Sequence, residues 1–140
     1  MDIRDCFGKR LLRKIEPDKN KSMNSIKIAE NLLEKARSLL DADFFSDALF
    51  NAYTSMFHAA RSLLYKDGIQ EKSHHAVYIY IKDKYSKDIS KGLIESFKNH
   101  QLERHELIYG FESDVNKKKA EAIIEDAEQF LGKIEEVLNG

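Results

Sequence analysis

From Ser46 to Lys66 nearly every position that could meet a neighbour is apolar: Ala48, Leu49, Phe50, Ala52, Tyr53, Met56, Phe57, Ala59, Ala60, Leu63 and Leu64. A helix that is hydrophobic nearly all round is usually a buried one, so this stretch is expected at the centre of the fold. Its polar residues are ordered. Asn51, Thr54, Ser55, His58, Arg61 and Ser62 recur at helical spacings. At about 100° per residue they gather into one stripe roughly 120° wide. The stripe holds no Lys, Asp or Glu, in a chain rich in all three. It therefore either packs on another polar surface, setting helix register, or faces a ligand.

The flanking pattern predicts further helices. Between Ser22 and Leu40, Ile26, Ala29, Leu33, Ala36 and Leu40 step by three and four, which reads as an amphipathic helix. Asp41-Ala42-Asp43 is short enough to fold it back antiparallel to the central helix. Gly68 suits a left-handed cap at the end of the central helix. Ile69 to Lys72 reads as a loop, and Ser73 as the N-cap of a helix over 74–85. A fifth helix is expected from Ile89 to Tyr109, with Leu93, Phe97, Leu102 and Ile108 as its apolar face. Gly110 to Ser113 reads as a turn and Asp114 as the cap of a last helix over 115–138. That helix carries the stripe Ala120, Ile124, Ala127, Leu131, Ile134 and Leu138. Residues 1–20 form a short helix or a tail, with Ile3, Phe7, Leu11 and Leu12 on one stripe, stopped by Pro17. Short alternating runs of β-branched residues are lacking, so no sheet is expected. The fold class is all-α: an antiparallel up-and-down bundle of four long helices over 21–140, plus one or two short helices.

Composition narrows the class of function. One Pro and six Gly favour long helices, and a net charge of −1 gives no global attraction to nucleic acid or membrane. Cys6 is the only cysteine, so no internal disulfide and no Cys/His metal framework is expected; a reduced, cytoplasmic setting follows. No apolar run is long enough to span a bilayer, and neither a metal nor a cofactor is implied.

Phosphate-binding glycine loops, nucleophile elbows and zinc-ligand pairs are all lacking. Three polar clusters remain. The first is the central stripe, chiefly Asn51, His58 and Arg61, read as a structural seam or a ligand-facing groove. The second is Lys72, Ser73, His74 and His75 at a helix start, where free N–H groups favour an anion; a plain capped start is the alternative. The third is the segment from Asn99 to Gly110, with His100, Arg104, His105 and Tyr109. An Arg beside a His can stabilise phosphoryl charge and move protons without a metal; a salt-bridged surface helix is the alternative, with Glu103 and Glu106 as partners. The run Lys117-Lys118-Lys119 reads as a solvated turn or a phosphate contact.

The stretch NAYTSMFHAARSLLYKDG, then KSHH, then Arg104 ahead of Tyr109-Gly110, resembles the HEPN domain, in particular small prokaryotic HEPN proteins paired with minimal nucleotidyltransferases. The resemblance covers about residues 22–138. It implies a helical bundle, commonly a homodimer, with a nucleotidyltransferase partner in a toxin–antitoxin-like pair. It implies nucleotide or RNA binding by Asn51, His58, Arg61, Lys72, Ser73, His74 and Tyr109. Many HEPN domains are metal-independent ribonucleases with an Arg, four to six residues, then a His. Here the corresponding positions after Arg104 are Tyr109, Gly110 and Phe111. The resemblance thus carries Arg104 over but no His, leaving His105 or His100 at non-standard spacing. It also makes Tyr109 an acceptor for nucleotide modification. Three functions follow as expectations: a binding module in such a pair, a ribonuclease toxin using Arg104 and His105, or a helical interaction protein. The central stripe is expected to face the Arg104 helix, bringing Arg61 and Arg104 into one basic cleft.

Overall fold

The computed structural model describes residues 1–109 and 115–140, and only the backbone of Tyr109. Eight elements follow in order: α1 (Ile3–Gly8), β1 (Leu12–Lys14), α2 (Lys19–Asp41), α3 (Phe45–Asp67), β2 (Ile69–Glu71), α4 (His74–Lys84), α5 (Lys91–Tyr109) and α6 (Lys117–Asn139). The four long helices are α2, α3, α5 and α6, as an all-α bundle requires.

The helix α3 is the hub. It packs along α2, against α6, and against α4 and α5. Its apolar circumference explains this, since thirteen of its residues are buried. Small residues let α2 come close: Ala29 and Ala36 are fully buried, and Ser55 Oγ donates to the Ala29 carbonyl at 2.7 Å across the helix pair. On α6 the expected stripe is buried from Ala120 to Ile134 and widened by Ile123 and Phe130, while Leu138 is only partly buried. On α5 the expected face shifts. Ile94, Phe97 and His100 are buried, whereas Leu102 and Ile108 are exposed. The helix needs only part of its length against the core, so its last turns keep apolar residues in water.

Local chemistry fixes most boundaries. Asp18 caps α2 by accepting from Lys21 N, and Ser73 caps α4 by accepting from Ala76 N. The expected turn at 110–113 and the Asp114 cap fall outside the described residues; Asn116 is the cap of α6, accepting from Lys119 N. Lys117, Lys118 and Lys119 are exposed.

One expectation fails. A two-stranded antiparallel ribbon pairs Leu12 with Glu71, Arg13 with Gln70 and Lys14 with Ile69. Each strand has three residues, too few to show a period of two, and the partners lie far apart in sequence. The segment read as the loop 69–72 is therefore β2. Likewise the first helix stops at Gly8, and Leu12, expected on its stripe, is buried in β1.

Where α3 ends, Asp67 Oδ2 accepts from the hydroxyls of Tyr80 at 2.9 Å and Tyr85 at 2.5 Å. Both rings are buried. Asp67→Ala would strand two phenols without their acceptor, at a cost of about 1–3 kcal/mol. A thermal melt should show the loss, and Tyr85→Phe in the Asp67→Ala background should recover part of it. Equal melting of the variant and the parent protein would remove this knot as a stability element.

Candidate functional site

Tyr53, Phe57 and Arg61 lie at i, i+4 and i+8 on α3, so they stack along one side of that helix. This side faces the start of α4. The Tyr53 hydroxyl is 3.2 Å from His74 Nδ1. The His74 ring stacks on Phe57, with centroids 4.1 Å apart and planes 18° from parallel. Phe57 also receives the edge of the His58 ring at 5.8 Å. Above Tyr53, at 5.7 Å from its ring, sits the Arg104 guanidinium from α5. At the other end, the Arg61 guanidinium lies 5.8 Å from the Phe57 ring and 5.3 Å from that of Tyr65. Its Nε donates to Glu71 Oε1 at 2.8 Å, from strand β2.

The result is a cluster in which two guanidinium groups, Arg61 paired with Glu71, and the His74 imidazole surround the rings of Tyr53 and Phe57. Tyr53 and Phe57 are buried, while His74 is exposed and Arg61, His58 and Arg104 are half-buried. Burial pushes the His74 imidazole below its usual range, and the positive charges of Arg104 and Arg61 add to the effect. His58 is lowered by burial, Arg61 and His74. Both rings are thus held toward the neutral form at neutral pH. Burial pushes the Tyr53 phenol up, against the opposing pull of Arg104. It therefore keeps its proton and remains available as a donor to His74. His58 Nδ1 is buried and meets no partner among the described residues.

The sequence-predicted residues divide. Arg61, His58, His74 and Arg104 come together. The central stripe does not act as a unit: Thr54 Oγ1 donates to the Phe50 carbonyl, Ser62 Oγ to that of Ala59, and Asn51 Nδ2 to that of Asp47. Arg104 meets Tyr53, on the side counted as core, and not the stripe. Ser73 spends its hydroxyl on the α4 cap, and Lys72 is exposed beside it. His75 turns away onto Tyr78, 5.8 Å between centroids. His105 is exposed on α5, and the Tyr109 side chain lies outside the described residues. His100 is buried, with Nε2 2.7 Å from Asp126 Oδ2, which leaves it no route to the cluster. Among the described residues no group of acidic, His and Cys side chains could hold a metal, and no helix is long and apolar enough to cross a membrane.

Sequence reading missed Tyr53, Phe57 and Glu71 as parts of the site. The first two were hidden among core positions. Their i, i+4, i+8 spacing with Arg61 was the available signal, because it places an Arg at the end of an aromatic row. Glu71 gave none, since its position depends on the ribbon.

Comparison with known proteins agrees with this architecture. The chain is 30% identical over 118 residues to the Methanocaldococcus jannaschii protein named "Putative toxin MJ0605", covering 81% of this chain and 85% of that one. It is 28% identical over 115 residues to a UPF0332 protein of Archaeoglobus fulgidus, covering 81% and 92%. A UPF0332 protein of Pyrococcus horikoshii is 44% identical over 52 residues, 37% of each chain. The model of the HEPN domain matches residues 22–137, which span α2 through nearly all of α6 and hold every residue of the cluster, and the chain therefore belongs to the HEPN domain family.

Proposed function

We propose that this cluster binds the phosphate and base of a nucleotide or single-stranded RNA, in a HEPN protein of a toxin–antitoxin-like pair. One observation carries this reading: the guanidinium groups of Arg61 and Arg104 flank His74 over the rings of Tyr53 and Phe57. Guanidinium groups pair with phosphate oxygens in a planar, bidentate manner. The exposed His74 ring offers a face on which a base can stack. The toxin name of the Methanocaldococcus jannaschii relative supports the biological setting. In this reading the protein acts as a homodimer, and its partner is a minimal nucleotidyltransferase.

Fluorescence anisotropy with a labelled short RNA tests the binding, and calorimetry with ATP and GTP separates nucleotide from RNA. Arg104→Ala is expected to weaken RNA binding about tenfold, and to reduce the dependence on salt by roughly one phosphate contact. His74→Ala, which removes a stacking ring, should cost a similar factor. Unchanged binding in both variants would place the ligand elsewhere.

A second reading is favoured by the nearness of His74 to Arg104. The family's ribonucleases use an Arg with a His, and here a His from α4 lies beside Arg104, where the family spacing after Arg104 holds Tyr109, Gly110 and Phe111 and no His. RNA cut in the presence of EDTA, and left intact by both Arg104→Ala and His74→Ala, would establish catalysis by this pair. Intact RNA in every case leaves binding alone.

A further inference from the structure

His100 lies one turn before Arg104 on α5, and it is the site of an unusual attachment. The ring is buried, and Nε2 lies 2.7 Å from Asp126 Oδ2 on α6. The same carboxylate oxygen accepts from Ser96 Oγ at 2.7 Å. On the other side of the ring, Nδ1 lies 3.3 Å from Glu103 Oε1, close enough for charge attraction. Beyond His100, Leu107 packs against the core, but other apolar positions of the helix face water. Leu102 is 56% exposed and Ile108 is 41% exposed. Arg104 itself leans on the Tyr53 ring.

We infer that the His100–Asp126 contact is a positioning device for the cluster: it pins the end of α5 to α6 and thereby keeps Arg104 over Tyr53. His100 and Asp126 touch no ligand in this arrangement; they act through Arg104. The inference about ligand affinity rests on the binding proposed above, whereas the placement of Arg104 does not.

The pin depends on charge. Burial by itself would lower the His100 pKa, but the carboxylates of Glu103 and Asp126 overcome it and raise the value above the ordinary 6.5. The charged groups bearing on the ring are Glu103 from its own helix and Asp126 from α6, and Lys119 of α6 in turn acts on Glu103. A raised folded-state value means the charge assistance to this contact is fully present below the unfolded value and is lost as pH rises through the folded one, leaving at most a neutral Nε2–H donor to Asp126. His58, His74 and His75 are all lowered, so they change charge on the acid side of 6.5. The alkaline window therefore reports the pin.

Two measurements test it. In the free protein, the Arg104 Nε–H NMR resonance should titrate in step with the His100 ring as pH rises above 6.5, and should stay fixed in His100→Gln. In anisotropy at constant ionic strength, affinity for a labelled short single-stranded RNA should fall roughly five- to tenfold over that rise as the His100–Asp126 contact loses its charge assistance. The fall should persist in His105→Gln and vanish in His100→Gln and in Arg104→Ala, because the pin acts through Arg104. An Arg104 resonance indifferent to pH overturns the inference. So does a pH-dependent fall that survives in Arg104→Ala. A titrating Arg104 resonance in a protein that binds no RNA would instead leave the pin standing and remove the binding reading.

Discussion

Phe97→Ala is expected to destabilise the protein by about 3–5 kcal/mol, the range for deleting a fully buried aromatic ring. Phe97 is 0% exposed and stands between Tyr53, at 6.0 Å, and Phe130, at 5.2 Å. The stack crosses three helices, α3, α5 and α6. Neither neighbour can close the gap without leaving its own helix position, so a cavity would persist. In a domain of this size the loss corresponds to a fall in Tm of roughly 10–15 °C. Urea unfolding checks it: the midpoint should drop while the slope stays constant. A cost below about 1 kcal/mol would mean that the site collapses freely, contrary to close packing. Tyr53 carries Arg104 above it, so RNA binding should weaken as well, even at temperatures where the variant is folded.

Gly68→Ala is expected to cost about 3 kcal/mol. Gly68 has φ +77°, a left-handed conformation that costs an L-residue roughly 1–2 kcal/mol. Space adds to this. A Cβ there would lie 2.6 Å from the Ile15 carbonyl oxygen and 3.0 Å from Pro17 Cδ. The chain cannot simply draw back, because Ile15 N donates to the Gly68 carbonyl at 2.9 Å. Gly68→Asn separates the two causes. Asn tolerates left-handed backbone but still has a Cβ. If it melts as low as the alanine variant, crowding dominates; if it recovers most of the stability, the dihedral does. Either outcome should loosen β2, and with it Glu71 and the aim of Arg61.

Helices α2 and α6 were legible because each carries a sustained period of three and four, and α3 because it is apolar nearly all round; α5 lacks such a period, and its buried face was misplaced. Asp67-Gly68 and Ser73 marked helix boundaries, because caps are local chemistry. The ribbon was not legible: three-residue strands hold no pattern, and the pairing of Leu12 with Glu71 is decided by the tertiary fold. At the candidate site, Arg61 and His58 stood out where charge was scarce, and His74 and Arg104 as members of polar clusters. The rings of Tyr53 and Phe57 did not, because a Tyr or Phe that lines a site looks in sequence like one that fills a core. His100 was legible only as chemistry. Its burial against Asp126 comes from two helices whose relative rotation no local pattern fixes.

The order of elements along the chain has a consequence for synthesis. The stack from Tyr53 through Phe97 is completed by Phe130, and His100 is pinned by Asp126, both on α6. The pair of α2 and α3 can form from neighbouring segments as soon as both have left the ribosome. Tyr53, Phe57 and Arg61 are then already in place. Contacts of α5 with α3 and α4, such as the Tyr53–Phe97 stack and the Tyr78–Glu95 hydrogen bond, can bring Arg104 in before α6, and α6 then adds Phe130 and Asp126. A nascent chain halted before α6 would lack both, and would present the bare face of α3 to chaperones in their place.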